Sequence, residues 1–281
     1  MKDKSGMQWQ DYGLLTVIFL CLALFVGVAA QSSYAYYKRA EEQRALQSAK
    51  VVTKSLTPNL AQAESISREL AQTTVDENGR VTNFAKRSQQ LAAINYVQGL
   101  YLVTAKGSWR AASGVNAEMR AAYAQFSKAA VRAYAVRKHS VVMQGPVTLK
   151  GGETGLIFYR PVFVKKQLWG FAIVAVKADL LLKASLENLD QWDFNYRLFK
   201  SSVSSRNYRL MTRSKAAVDQ PVTYRFRPSK SSGTWKIYVS PKGGWSYRNR
   251  SLRVAVYAAL LAVCLFVLAV VMTMRQAGMR R

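Results

Sequence analysis

Residues 155–177 read GLIFYRPVFVKKQLWGFAIVAVK. Two strands are predicted here, Gly155 to Phe163 and Trp169 to Lys177, joined through Val164 to Leu168. Both are short runs dominated by β-branched and aromatic residues, a composition that suits a pleated, buried surface. They arrive as a hairpin and not as the ends of a βαβ repeat, which points to an α+β fold. Successive strand residues face opposite ways. Leu156, Phe158 and Arg160 therefore share one face, and Ile157, Tyr159 and Pro161 the other. In the second strand Trp169, Phe171, Ile173 and Ala175 share a face.

Upstream of this hairpin, Ser32 to Leu70 reads as one long helix. Apolar or small residues recur at Leu46, Ala49, Val52, Leu56, Leu60, Ala63, Ile66 and Leu70, at spacings of three and four. That is a helical stripe close to coiled-coil period. It packs on a second copy of the chain or on the rest of its own domain, and both readings stand. Pro58 should kink this helix or mark a break. Asp76 to Gly79 is a turn, followed by a helical stretch to about Ala93. Strands are expected over Tyr96 to Thr104 and Trp109 to Ser113, with a turn at Lys106-Gly107 and an end at Gly114. Glu118 to Arg137 is helical, with Tyr123, Phe126, Ala130 and Tyr134 on one face. Val141 to Met143 and a Gly145-Pro146 turn lead back to the hairpin. Downstream come a helix over Ala178 to Asn188 and a strand over Asn195 to Phe199. A polar Ser/Arg loop and strands near Val222 to Arg227 and Thr234 to Val239 follow. Pro241 to Trp245 then turns the chain.

Two charge-free apolar runs bracket all of this. No charge occurs from Tyr12 to Tyr37, and Val254 to Met274 is uncharged between Arg253 and Arg275. About 20 helical residues, rising about 1.5 Å each, cross a hydrocarbon core of about 30 Å. The first run has a second reading, because Lys2 and Lys4 form a basic lead and Val28-Ala29-Ala30 resembles a cleavage site. An uncleaved anchor is preferred, since a helix continues directly out of it. The expected organisation is an N-terminus over 1–11, a membrane helix over 12–31 and a stalk over 32–75. The sheet-bearing domain follows over 76–250, then a second membrane helix over 251–274 and a tail over 275–281. Basic residues flank both sides of both spans, so charge alone leaves the orientation open. Both termini are taken as cytoplasmic and the central domain as external. Cys21 and Cys264 both lie inside the apolar runs, leaving the central domain without a thiol.

The chain carries a net charge of +26. From Tyr196 to Arg253 there are 14 basic residues and one acid, Asp219. Such a patch near a bilayer attracts anionic headgroups, about 1 kcal/mol per cation. Aromatic residues interleave with it (Tyr208, Tyr224, Phe226, Trp235, Tyr238, Trp245 and Tyr247), which suits nucleic acid or strands ending at a membrane interface. The second fits better, and nucleic acid is not the expected partner.

The sequence holds no catalytic constellation, so an enzyme is not expected. Its one histidine, His139, falls at a helix end, as a cap or surface residue. Asp190 and Asp193 follow a helix end, where turn chemistry accounts for them. No cysteine pair or metal-ligand spacing occurs, and no cofactor or metal is expected. A binding site is easier to build. Arg160, flanked by Tyr159 and Phe158 and accompanied by Phe171 and Tyr101 on neighbouring strands, suits an anionic or aromatic small molecule. Arg160 has a structural alternative, pairing with Asp179 or Glu153, and Tyr101 has one as a core aromatic. Trp169 is assigned to the core and Trp245 to the membrane interface.

The ordered series Gln144-Gly145-Pro146-Val147-Thr148-Leu149, Gly151-Gly152-Glu153-Thr154-Gly155-Leu156 and Tyr159-Arg160-Pro161-Val162-Phe163 resembles CHASE domains. So do Trp169-Gly170-Phe171-Ala172, Ala178-Asp179-Leu180-Leu181 and the close Trp235-Lys236-Ile237-Tyr238-Val239 with Pro241, Gly243, Gly244 and Trp245. The resemblance runs from Gln144 to Trp245. It implies an extracytoplasmic sensor with a dimerising stalk helix, PAS-like mixed antiparallel sheets and a small-molecule site on the membrane-distal sheet. Together with the two apolar runs, the expectation is an inner-membrane, two-pass protein with a periplasmic or extracellular domain. The chain stops seven residues after Met274, where the family's signalling output would follow. The expectation is therefore a separate output protein or a truncated receptor. Two other functions compete. One is a structural envelope protein gripping acidic polymer or lipid headgroups through its basic face; the other is a cytoplasmic nucleic-acid-binding domain.

Overall fold

The structure is a computed structural model describing residues 9–113, 117–128, 130–149, 151–202, 207–230 and 232–279. Lys2, Lys4, Gly114, Arg280 and Arg281 from the sequence reading lie outside the described residues. Contacts group the chain into two units, Met1–Arg44 with Gly243–Arg281, and Ala45–Lys242.

The first unit holds the apolar runs. One lies in the N-terminal part of α1 (Trp9–Thr74) and the other in α6 (Tyr247–Met279). Both helices are long and apolar enough to cross a membrane. Leu20, Leu24, Val28, Leu260, Val263 and Leu268 are all exposed, so the apolar side chains of both helices lie uncovered. Phe19 and Phe266 meet edge to face with ring centres 5.7 Å apart. The Glu41 carboxylate accepts hydrogen bonds from the backbone N–H groups of Ser246 (2.9 Å) and Tyr247 (3.2 Å). It thereby serves orphan donors and a positive dipole at the start of α6.

The second unit is α+β, with two antiparallel sheets. The five-stranded sheet has the order β2-β1-β5-β4-β3. Its strands are β1 (Val97–Thr104), β2 (Trp109–Ser113), β3 (Val142–Thr148), β4 (Thr154–Val164) and β5 (Gln167–Lys177). The four-stranded sheet, β7-β6-β9-β8, is built from β6 (Phe194–Ser201), β7 (Tyr208–Arg213), β8 (Val222–Phe226) and β9 (Trp235–Pro241). Helices α2 (Phe84–Ala92), α3 (Ala117–Lys128), α4 (Ala130–Lys138) and α5 (Ala178–Gln191) connect them.

The stalk stripe packs on its own domain. Ala45, Ala49, Val52, Leu56, Leu60, Ala63, Ile66 and Leu70 are all buried, so the stripe begins at Ala45 and not at Leu46. Asn59 donates towards Leu181 and Ser185 of α5, and Ser229 donates to Glu64. Three other expectations are corrected. Pro58 does not break α1, which runs continuously through it, so of the two expected outcomes the break is the one overturned. The neighbouring turns, held by tertiary burial, outweigh one missing N–H bond. Gly145-Pro146 lies inside β3, where the pairing with β4 shifts between Gln144 and Val147, and not in a turn. This is the bulge setting in which an edge strand tolerates proline. Finally, part of the polar Ser/Arg loop forms β7, paired to β6 from Ser201↔Tyr208 to Arg197↔Arg213. Its side chains are mostly exposed or half-buried, so it shows no apolar run to read.

Candidate functional site: an aromatic cluster under α3 and α4

Register places the side chains of the central sheet. Tyr101 pairs with Ile173, Tyr159 pairs with Ile173, and Val142 pairs with Tyr159, so these residues share a face. Helices α3 and α4 cover it with Met119, Ala122, Tyr123, Phe126, Val131 and Ala135. The other face carries the rows Leu100, Val174, Phe158 and Leu102, Ala172, Arg160.

The covered face is an aromatic cluster. Phe126 stacks on Tyr159 at 3.8 Å between ring centres, tilted by 3°. Phe171 meets Phe126 edge-on at 5.1 Å. Tyr101 meets Trp109 at 5.4 Å, and Trp109 meets Tyr123 at 5.8 Å. A Cβ at position 99 would collide with the Tyr101 hydroxyl, so Gly99 is what lets that ring lie along β1.

Two cations reach this cluster: Arg120 lies 5.5 Å from the Trp109 ring centre, and Arg132 approaches from α4. The Arg132 guanidinium lies 5.6 Å from the Phe171 ring centre, a cation–π contact. Its Nη2 donates to the Ala105 carbonyl at 3.2 Å. Its buried Nε has no protein partner, and neither does the buried Tyr159 Oη. Burial pushes the Tyr159 phenol far above its ordinary range, with Tyr123 adding to the shift. Tyr101 is pushed up to about 12 by burial. Tyr123 is raised by burial while Arg132 pulls it the other way. All three are neutral phenols at physiological pH. Beside the cluster lies a cleft of about 540 Å³ whose walls include Arg132, Lys128, Arg137, Val136 and Leu168. Val136 and Leu168 also pack against the aromatic core.

The sequence-derived site is thus divided. Tyr101, Tyr159 and Phe171 come together in the cluster. Phe158 is fully buried on the opposite face. Arg160 is there too, and its Nε donates to Ser67 of α1 at 3.3 Å. Partial burial lowers the Arg160 pKa, Arg68 lowers it further, and Glu64 opposes them. The proposed structural partners of Arg160 are otherwise placed. Glu153 pairs with Lys177 at 3.0 Å, and Asp179 has Thr212 as a hydrogen-bond partner. Trp169 is half-buried, donating from Nε1 to Gly79 at 2.9 Å, and is not a core residue. His139 ends α4 and stacks on Phe163 at 4.2 Å. The sequence reading did not single out Arg132 or bring Tyr123 and Phe126 to this cluster. The helical face of Tyr123 and Phe126 was the available signal, but which sheet face it covers is not local information.

No protein-family model matches the chain, and no curated protein matches it significantly. Solved structures do. The extracellular ligand-binding receptor from Desulfohalobium retbaense is 8% identical, with 70% of this chain covered and a TM-score of 0.48; the chain spans 40% of that receptor. The ligand-binding domain of the Pseudomonas aeruginosa PAO1 amino acid chemoreceptor PctC, in complex with GABA, is 16% identical. There 68% of this chain and 95% of that one are covered, at a TM-score of 0.49. The sensory domain of the Campylobacter jejuni chemoreceptor Tlp3 is 9% identical, covering 78% and 99%, also at 0.49.

Proposed function

We propose that this is a two-pass inner-membrane sensor whose central domain, outside the cytoplasm, binds a small molecule in the α3/α4 cluster and performs no catalysis. The observation that carries this is the pair of buried, unpartnered polar atoms, Tyr159 Oη and Arg132 Nε, in an otherwise apolar aromatic cluster. An unpaired buried polar group costs about 1–3 kcal/mol. A ligand with a carboxylate or carbonyl on an apolar or aromatic body supplies an acceptor to Arg132 and a partner to Tyr159. Phe126 must leave Tyr159 to admit it, which sets up two arrangements of α3 over the sheet. The ligand shifts the population between them by its differential affinity. Strand β4 carries the response across the sheet, because Tyr159 faces the ligand and the next residue, Arg160, touches α1 at Ser67. Helix α1 is also the helix that holds the first apolar run. The output passes through the membrane helices to a signalling module, in keeping with the CHASE resemblance.

Two experiments test this reading. With Cys21→Ala and Cys264→Ala as background, Lys166→Cys should label in intact cells with a membrane-impermeant maleimide. Labelling only after lysis overturns the external placement. With the full chain in lipid nanodiscs, aromatic amino acids and aromatic carboxylates should raise the unfolding midpoint saturably. Arg132→Gln should weaken that effect by about tenfold or more, the worth of a charged hydrogen bond. Arg160→Gln should leave it in place. A response lost with Arg160→Gln and kept with Arg132→Gln moves the site to the other face.

A further inference from the structure

A second cavity, of about 300 Å³, opens where the edge strand β3 of one sheet meets β6 and β7 of the other. Its wall includes Lys200 and Arg209, with Gln125, Gln144, Val147 and Asn207. Lys200 is 1% exposed. Its ammonium donates to three carbonyls, Met143 (3.1 Å), Ser201 (3.2 Å) and Gly145 (3.4 Å). Two of those lie on β3, so the lysine ties the sheets together. Among the described residues it forms no ion pair. Among the described residues the cavity wall holds two cations and no acid. Burial lowers the Lys200 pKa to about 8, the trace of a charge held without a counter-ion. The buried Gln144 Oε1, also on this wall, has no protein hydrogen-bond partner.

We infer that this cavity is a binding site for a small hydroxy-carboxylate, separate from the aromatic cluster. A carboxylate answers the two cations, with the Arg209 fork giving paired hydrogen bonds and the Lys200 charge acting at low dielectric. A neutral hydroxyl donor answers Gln144. An ammonium donor suits the site less well, because no acid on the wall offsets it beside Lys200 and Arg209. The apolar side chains of Val131, Val142 and Val147 leave room for only a short carbon skeleton. Occupancy would join β3 to β6 and β7, and so stiffen the junction between the sheets.

The test is calorimetric titration of the full chain in nanodiscs at constant ionic strength, with L-malate, L-lactate and succinate. L-malate or L-lactate should bind saturably, and succinate, which lacks the hydroxyl, about fivefold more weakly than L-malate. Arg209→Gln should weaken binding about tenfold. Gln144→Leu should erase the preference for L-malate over succinate. Arg209 is exposed, so its variant keeps the test open if Gln144→Leu does not fold. Arg132→Gln should change nothing here. No saturable binding of either hydroxy acid up to about 10 mM overturns the inference, as does binding that survives Arg209→Gln. Loss through Arg132→Gln alone assigns the ligand to the aromatic cluster and overturns it too.

Discussion

The two faces of the five-stranded sheet are built from the same strands and differ in kind. The face under α3 and α4 is aromatic, with Phe126 stacked on Tyr159 and two polar atoms without protein partners. The face towards α1 is mostly aliphatic, with Leu100, Leu102, Leu156, Ala172 and Val174 fully buried, and its one cation, Arg160, bonded to Ser67. Packing is finished on the second face and unfinished on the first. Interiors are close-packed and their buried polar groups are normally paired. Departures from that rule therefore mark where a protein keeps something in reserve, and Tyr159 Oη and Arg132 Nε both fall on the side of α3 and α4.

The largest effects come from truncating one aromatic on each face. Phe126→Ala and Phe158→Ala should each destabilise by about 3–5 kcal/mol. They should then part company. Added benzoate or indole should restore part of the loss in Phe126→Ala, where the new space opens beside unpaired polar atoms, and none in Phe158→Ala. Equal rescue of both, read from denaturant midpoints, would erase the contrast between the faces.

Lys200 extends the comparison to the junction of the sheets. Its pKa falls from an ordinary 10.5 to about 8. Between those values the unfolded chain holds a proton that the folded chain has lost. The unfolded state then binds more protons, so stability rises with pH across this window. Below pH 8 both states are protonated and the full penalty of the buried charge applies. The increment from Lys200 is on the order of 3 kcal/mol. Lys200→Met should lack that rise between pH 8 and 10.5, as measured by denaturant melts at each pH. Parallel curves for the two proteins would show that the charge is compensated.

Smaller effects separate the two faces again. Tyr159→Phe removes an unpaired hydroxyl, so it should stabilise the unliganded protein by about 1 kcal/mol and weaken its ligand response. Arg160→Met should cost about 1 kcal/mol, the value of an ordinary hydrogen bond, and leave ligand affinity intact. A destabilising Tyr159→Phe would mean that the hydroxyl is already satisfied.

Much of the fold was legible before the coordinates. Strands β1, β2, β4, β5, β8 and β9 follow from runs of β-branched and aromatic residues, and β2 spans Trp109–Ser113 as expected. The helical stripe of the stalk was readable to within one residue at its start. Where local signals conflict with tertiary ones, the reading failed. Pro58 allows a break, yet the buried turns around it hold α1 together. Gly145-Pro146 says turn, yet an edge position beside a bulge admits it to β3. Strand β7 was hidden because pairing to β6 asks little of its outward side chains.

The site was half legible for a related reason. Alternation along β4 determined that Tyr159 and Arg160 face opposite ways, and the sequence alone sufficed for that, because a strand's period of two is a property of the backbone. It likewise determined the apolar runs, the basic balance of +26 and the aromatic content of the central strands. Which face receives α1 and which receives α3 and α4 was decided only by the tertiary structure. So were the arrival of Arg132 beside Phe171 and the burial of Lys200 against β3. Those contacts join residues far apart in the chain, and their energies depend on desolvation and on partners that no local pattern of residues records.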